Sequence, residues 1–266
     1  MNSNKRIDGI ILAGGPMDEA LAGVSDAPNK AYIHIGDRPM VSYVIEAARQ
    51  SRYLDRIVLV TEQEWLTPEL SGMVDIIAPP GEKIVLSLGC GIQALSPLPD
   101  FVVAMPSDIV LLTTEALDDF IGRSLDSGGD LTYGYLSRAD SEARFPDVNH
   151  TYVKIDKDSF CGTGFFMMNP GIADRFENLL DKFTANRKNV IGLAGLLGLR
   201  VIISYLLGTL MVKDVEKRVK KLLRGSVGKG IRTKYPEAGF NVDAPNELEI
   251  ARRIITAEPG QGDHSR

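Results

Sequence analysis

Ile7-Asp8-Gly9-Ile10-Ile11-Leu12-Ala13-Gly14-Gly15 is the stretch on which the fold is read. A short, mostly apolar run ending in two glycines has the form of a buried strand feeding a tight turn, where backbone N–H groups can approach a ligand with no Cβ in the way. Further along, Phe101-Val102-Val103-Ala104-Met105-Pro106-Ser107-Asp108 repeats the pattern with a carboxylate at its end. More than two hundred residues after the first turn, Phe240-Asn241-Val242-Asp243 reads as a third strand that ends in an aspartate, just before the helix opened by Ala244-Pro245. Lys30 follows a loop rich in Asp, Gly, Ser and Pro.

Outward from these runs, residues 7–12, 56–61, 74–78 and 101–105 read as strands and 40–50, 84–95 and 114–127 as helices. The alternation predicts an α/β fold with a mainly parallel sheet covered by helices on both faces. After Gly128 the pattern changes to candidate strands at 130–136, 152–156 and 165–168, a mixed-sheet region suited to a second substrate. Residues 170–224 read as mostly helical, with 190–212 as two packed helices and 214–224 as an amphipathic helix turning Val215, Val219, Leu222 and Leu223 inward. The expected organisation is one domain over 1–257: a nucleotide-binding half at 1–127, an acceptor-side sheet at 128–169, a helical insertion at 170–229, and a strand and helix carrying the metal site at 230–257. A disordered tail is expected at 258–266.

The 266 residues are 44% hydrophobic and 24% charged, enough apolar material for one large core. A net charge of −5 argues against a general nucleic-acid binder. No apolar leader precedes the first strand, so the expected location is cytoplasmic. Cys90 and Cys161 are too far apart to read as a disulfide framework, and no zinc-ligand spacing occurs. Cys161 reads as a buried small residue. One segment runs against the overall charge: residues 213–234 hold nine Lys or Arg against Asp214 and Glu216. It is either the solvated face of a helix or, together with the apolar 190–212, a contact for an anionic acceptor, a lipid phosphate or a membrane surface.

The carboxylates at two strand ends lie where open α/β sheets bind ligands. Asp108 and Asp243 together would suit Mg²⁺, with Mn²⁺ as a substitute, since such ions take one or two carboxylates plus substrate phosphates. Lys30 would reach those phosphates. The alternatives are a helix cap for Asp243 and a solvated loop residue for Lys30. The dinucleotide motif G-x-G-x-x-G is broken by Pro16 and Glu19, and no P-loop is present.

The ordered set Leu12-Ala13-Gly14-Gly15, Asn29-Lys30-Ala31, Ile35-Gly36-Asp37-Arg38-Pro39-Met40, Asp108 and Asn241-Val242-Asp243-Ala244-Pro245-Asn246-Glu247-Leu248 resembles the nucleotidyltransferase superfamily with the glycosyltransferase-A-like fold. Within it the chain is most similar to the MobA-like NTP transferases, whose namesake is the molybdenum cofactor guanylyltransferase. The resemblance implies that Leu12, Ala13, Gly14 and Gly15 bind the nucleotide, that Ser87 and Gly89 open a base-sensing helix, that Lys30 holds phosphate, and that Asp108 and Asp243 hold Mg²⁺. It further implies transfer of NMP from an NTP to a phosphorylated small-molecule acceptor. The family's loop continues with another glycine and a phosphate-binding arginine; here Pro16-Met17-Asp18-Glu19 stand there, with no arginine between Gly15 and Arg38. On the acceptor side the resemblance points to Arg138, Arg144, Lys154, Gly162 and Gly164, which a structural hairpin would also explain. A glycosyltransferase of the same fold and a non-catalytic nucleotide-binding regulator are the competing readings.

Overall fold

The structure, a computed structural model, describes residues 5–186, 196 and 198–257. Strand β1 (Ile7–Leu12) lies at the centre of an eight-stranded sheet. It pairs in parallel with β4 (Leu54–Val60) on one side and β6 (Phe101–Pro106) on the other, and β5 (Ile76–Ala78) extends the β4 side. Beyond β6 comes β9 (Asp158–Met168), antiparallel to both β6 and β7 (Leu131–Ser137), then β10 (Gly228–Thr233), parallel to β7. The short β8 (Val153–Ile155) pairs with β9, and β2 (His34–Ile35) with β3 (Arg38–Pro39) forms a separate two-stranded ribbon.

Alternation along β1 splits the core. Ile7 and Ile11 pack with Val41, Val44 and Ala48 of α1 (Met40–Arg49) and Leu117, Phe120 and Ile121 of α4 (Thr114–Ser127). Ile10 faces the other way, onto Leu88 and Ile92 of α3 (Ile84–Gln93) and Phe176 of α6 (Ala173–Asn186). Gly91 allows α3 to seat this closely, since a Cβ there would come 2.7 Å from Ile10 Cγ2. The remaining α-helices among the described residues are α2 (Pro68–Gly72), α5 (Arg138–Arg144), α7 (Leu199–Leu206), α8 (Val212–Leu222) and α9 (Pro245–Ala257).

The parallel, doubly covered α/β architecture is as the sequence predicts, and α4 falls on the expected residues. Several elements differ. Phe240-Asn241-Val242-Asp243 is extended but joins no strand ladder; the strand of this region is β10, upstream in what reads as the basic segment. Phe240 and Val242 are buried while Asn241 and Asp243 point out, so the period-2 pattern is real although the sheet bonding is not. The helix expected over 214–224 is α8, starting two residues earlier, and Leu223 is buried just past its end. The first of the two helices expected within 190–212 and the tail at 258–266 lie outside the described residues.

Asp8 is fully buried in the central strand. Its carboxylate accepts from Arg56 Nη2 at 2.6 Å, Nε at 3.2 Å and the Arg56 backbone N–H at 3.1 Å. Asp8→Ala is expected to lower stability by about 3 kcal/mol, because it removes all three charge-assisted bonds, including the acceptor of the Arg56 backbone N–H, although the guanidinium keeps Ser96 O and Pro97 O. Urea unfolding is the check, and a loss below about 1 kcal/mol would mean that solvent replaces the carboxylate there.

Candidate functional site

The chain leaves β1 for β4 and β5 on one side, then returns to β6 on the other, which makes the C-terminal ends of β1 and β6 a topological switch point. Leu12 and Pro106 are register partners, so Ala13-Gly14-Gly15 and Ser107-Asp108 emerge at one level. Gly14 passes the loop before α3 so closely that a Cβ would lie 2.3 Å from Pro80 Cβ, whereas Gly15 is exposed with open space where its Cβ would be. Asn29 shapes this turn: buried, it donates from Nδ2 to Ala13 O and Gly15 O, both at 2.8 Å, while its Oδ1 accepts from Ala31 N at 2.9 Å. That last bond caps the short 3₁₀ turn Lys30–Tyr32, whose buried Ala31 and Tyr32 fix where Lys30 starts.

Lys30 Nζ sits among three carboxylates: Asp108 Oδ2 at 2.6 Å, Asp18 Oδ2 at 2.7 Å and Asp243 Oδ1 at 2.8 Å. Burial works against the ammonium, but the Asp108 charge and the bonds to Asp108, Asp18 and Asp243 outweigh it and hold its pKa above the usual lysine range. Asp108 is almost wholly buried, and that burial pushes its carboxyl upward against the pull of Lys30 and of the Asn241 amide, whose Nδ2 donates to Oδ1 at 3.1 Å. The Val242 N–H donates to Asp108 O at 3.1 Å and ties the 240–243 segment to the end of β6. Asp243 itself is mostly exposed. Three carboxylates and one ammonium leave an excess of two negative charges at this edge of the sheet.

The structure thus brings Lys30, Asp108, Asp243 and the glycine turn together. Ser87 lies in the first turn of α3, its hydroxyl bonded to the Gly81 N–H at 3.0 Å, and so braces the loop that touches Gly14. Gly89 lies on the same helix with open space around it. Gly164 adopts φ +78° and lies under the Asn241 amide, 3.2 Å from where its Cβ would be, so it borders the carboxylate centre. Gly162 leaves room for Tyr133, whose hydroxyl would be 2.0 Å from a Cβ, which is a packing role. Arg138 pairs with Glu142 at 2.7 Å, Arg144 approaches Glu237 at 3.7 Å, and Lys154 is exposed on β8. Cys161 is buried, and burial pushes its thiol up, away from nucleophile character. Sequence reasoning gave Asp18 and Asn29 no role; an Asn ahead of a short helical turn is a cap signal that could have found Asn29. Asp18 carries no such signal.

Comparison with known proteins agrees with this geometry. The family model described as the MobA-like NTP transferase domain matches residues 9–144. A solved structure of a hypothetical transferase from Thermus thermophilus is 30% identical, with a TM-score of 0.78, and the match covers 91% of this chain and 99% of that one. A 3-deoxy-manno-octulosonate cytidylyltransferase from an Anaeromyxobacter species is 21% identical over 239 residues, covering 89% of this chain and 94% of the relative. The fold is shared with a 4-diphosphocytidyl-2C-methyl-D-erythritol synthase from Anaerococcus prevotii at 13% identity and TM-score 0.59, over 95% of this chain and 99% of that one.

Lys30→Met should destabilise the protein in metal-free buffer by about 3 kcal/mol, since it leaves the Asp108 charge buried without its counter-ion. Adding Asp108→Asn should recover most of the loss, because an amide needs no counter-charge. The sign of the linkage is set by the raised Lys30 pKa: its contribution is complete below the unfolded value of 10.5 and is lost only as pH rises through the folded one. In denaturation experiments Lys30 itself therefore adds no pH dependence from neutral pH to about 10, and a gap between wild type and variant that widens over this range reports the Asp108 carboxyl, which burial pushes up once the pull of Lys30 is gone.

Proposed function

The chain belongs to the MobA-like NTP transferase family, and from that membership we propose that it transfers NMP from an NTP to a phosphorylated small-molecule acceptor, releasing pyrophosphate. The observation that carries this reading is the convergence of Lys30 with Asp108 and Asp243, from segments more than two hundred residues apart, beside an open Gly15 backbone. The base lies between the Gly14 turn and the start of α3 near Ser87 and Gly89. The phosphates lie over Gly15, whose exposed backbone leaves room for them. An acceptor phosphate oxygen attacks the α-phosphorus as the bond to the bridging oxygen of the β-phosphate breaks, and the electron pair leaves with pyrophosphate. Lys30 stabilises the charge that spreads onto the non-bridging and leaving oxygens. No protein nucleophile is needed, because placing the two phosphates in line supplies much of the acceleration.

The residues at this edge fit a hard divalent cation. Asp108 and Asp243 already hold one positive group between them, and both are oxygen donors. Among the described residues no group of three or more His, Cys, Asp or Glu forms a metal cluster, so substrate phosphates and water would complete the shell, as Mg²⁺ commonly allows. Bound by Asp108 and Asp243, Mg²⁺ or Mn²⁺ would supply Lewis-acid polarisation of the phosphates.

The acceptor enters over Gly164, and Arg138, Arg144 and Lys154 become available to its phosphate when the exposed pairs with Glu142 and Glu237 open. A glycosyltransferase of this fold commonly uses an Asp-x-Asp pair, and Pro106-Ser107-Asp108 has one carboxylate at that place. Nucleotidyl transfer is therefore favoured.

Pyrophosphate release, screened over the four NTPs against pools of sugar phosphates, cofactor precursors and phospho-alcohols, tests the proposal. Asp108→Asn and Asp243→Asn should each abolish turnover while the fold persists, because each removes an anionic ligand at constant volume. Lys30→Ala should lower kcat/KM by roughly 100-fold or more. Nucleotide binding without turnover, with any acceptor pool, would favour the regulatory reading. Full activity in Asp243→Asn would remove that residue from the metal site and leave it only as a partner of Lys30, since α9 starts two residues later at Pro245.

A further inference from the structure

Away from the switch point, the neighbouring helices α7 and α8 expose apolar side chains at the end of α7 and cationic ones along α8. Leu206 and Leu207 are 75% and 71% exposed at the end of α7, and Ile203, Tyr205 and Met211 are exposed beside them. These are not a loose end: Leu210 is buried in the same turn, and its carbonyl accepts from Asp156 N at 2.8 Å, which ties the turn to the β8–β9 hairpin. On α8, Val219 packs against Gly228 and Glu216 turns to β10, where it pairs with Lys229 at 2.9 Å. Lys213, Lys217, Lys220 and Lys221 are consequently left exposed. Between the two helices is a cleft of about 220 Å³ lined by Arg200, Lys217 and Lys221, with Asp214 as the one carboxylate among the described residues that line it.

We propose that the α7–α8 turn docks the protein peripherally on an anionic phospholipid surface. Two features of the patch select this partner. A bilayer offers an apolar layer for Leu206 and Leu207 directly beneath a plane of phosphates for the lysines, which is the arrangement that interfacial helices use. A nucleic acid would satisfy the lysines and leave the leucines in water. A second copy placed by a two-fold axis would bury the leucines but bring the lysine rows together. The patch is also cationic in a chain whose net charge is −5, so attraction to an anionic surface is local and orients the molecule. Among the described residues no helix is long and apolar enough to cross a membrane, and the eight residues of α7 fit contact from one side.

The test is co-sedimentation of the full chain with vesicles of phosphatidylcholine alone or mixed with phosphatidylglycerol, and it needs no nucleotide, so it stands apart from the proposed activity. Wild type should pellet with the anionic vesicles, remain in solution with the neutral ones, and lose binding as salt shortens the Debye length. Replacing Lys217, Lys220 and Lys221 by Gln should weaken partitioning about 100-fold. Replacing Leu206 and Leu207 by Ser should weaken it as well, with Tm unchanged because both side chains are exposed. Wild type that stays in solution with anionic vesicles overturns the proposal, and so does equal binding to both vesicle types. Leucine variants that bind like wild type would reduce the contact to non-specific charge and overturn docking through this turn. A dimer dispersed by the leucine changes, with no vesicle binding, would assign the face to a second copy.

Discussion

The Lys30 ammonium, held between Asp108 and Asp243, is the interaction on which the rest of the site depends. Each partner reaches it by a different structural route: Lys30 from a 3₁₀ turn capped by Asn29, Asp108 from the end of a central strand, and Asp243 from an extended segment ahead of α9. A buried carboxylate is tolerable only with a counter-charge and hydrogen bonds, and Asp108 has both in Lys30 and Asn241. The bond from Val242 N–H to Asp108 O holds the late segment in place, so the first and last parts of the chain close one site.

Close backbone approach sets the second constraint. Gly14 against Pro80 and Gly164 against Asn241 let three loops meet within a few ångströms of the strand ends. A side chain at Gly14 would push the loop before α3 away from the glycine turn, and one at Gly164 would also be strained by the positive φ. The apolar residues of the site segments, Leu21, Ile33, Phe240, Val242 and Leu248, form a small core of their own beneath these contacts. The site's backbone thus rests on packing rather than on solvent-exposed loops.

How much was legible follows from which signals are local. The strand β1 and the helix α4 are plain because apolar periodicity and end signals agree: Thr113 caps α4 and Gly128 ends it in the left-handed conformation. The helix α5 was missed because only Ser141 of its residues is buried, leaving no apolar stripe; its signal is the Ser137 cap on Asp140 N. Strand β10 was missed because Gly228-Lys229-Gly230-Ile231-Arg232-Thr233 has the charged, glycine-bearing sequence of an edge strand and hides within a basic segment. Strand β9 is longer than its apolar part since Gly162 and Gly164 break the pattern without ending the strand. At the site, strand-end carboxylates and the double glycine could be read, because topology fixes where strand ends go. Asp18 could not, since what places it is tertiary.

Asp18 also bears on how the phosphates are held. Where the resembled family carries an arginine, this loop supplies a carboxylate that pairs with Lys30 at 2.7 Å, so the local charge is reversed and the cleft is negative overall. Two unit charges 4 Å apart interact by about 4 kcal/mol at an effective dielectric of 20, so a bare triphosphate is repelled from such an edge. Under the proposed function, the nucleotide has to enter with its charge already offset by a divalent cation, or Lys30 has to exchange Asp18 for phosphate. The second route is open, since Asp18 is about half exposed and can return to water at little cost, whereas Asp108 cannot. Lys30 would then keep Asp108 as its fixed partner and trade the loop carboxylate for the substrate, which turns the missing arginine from a defect of the site into a feature of how the loop yields.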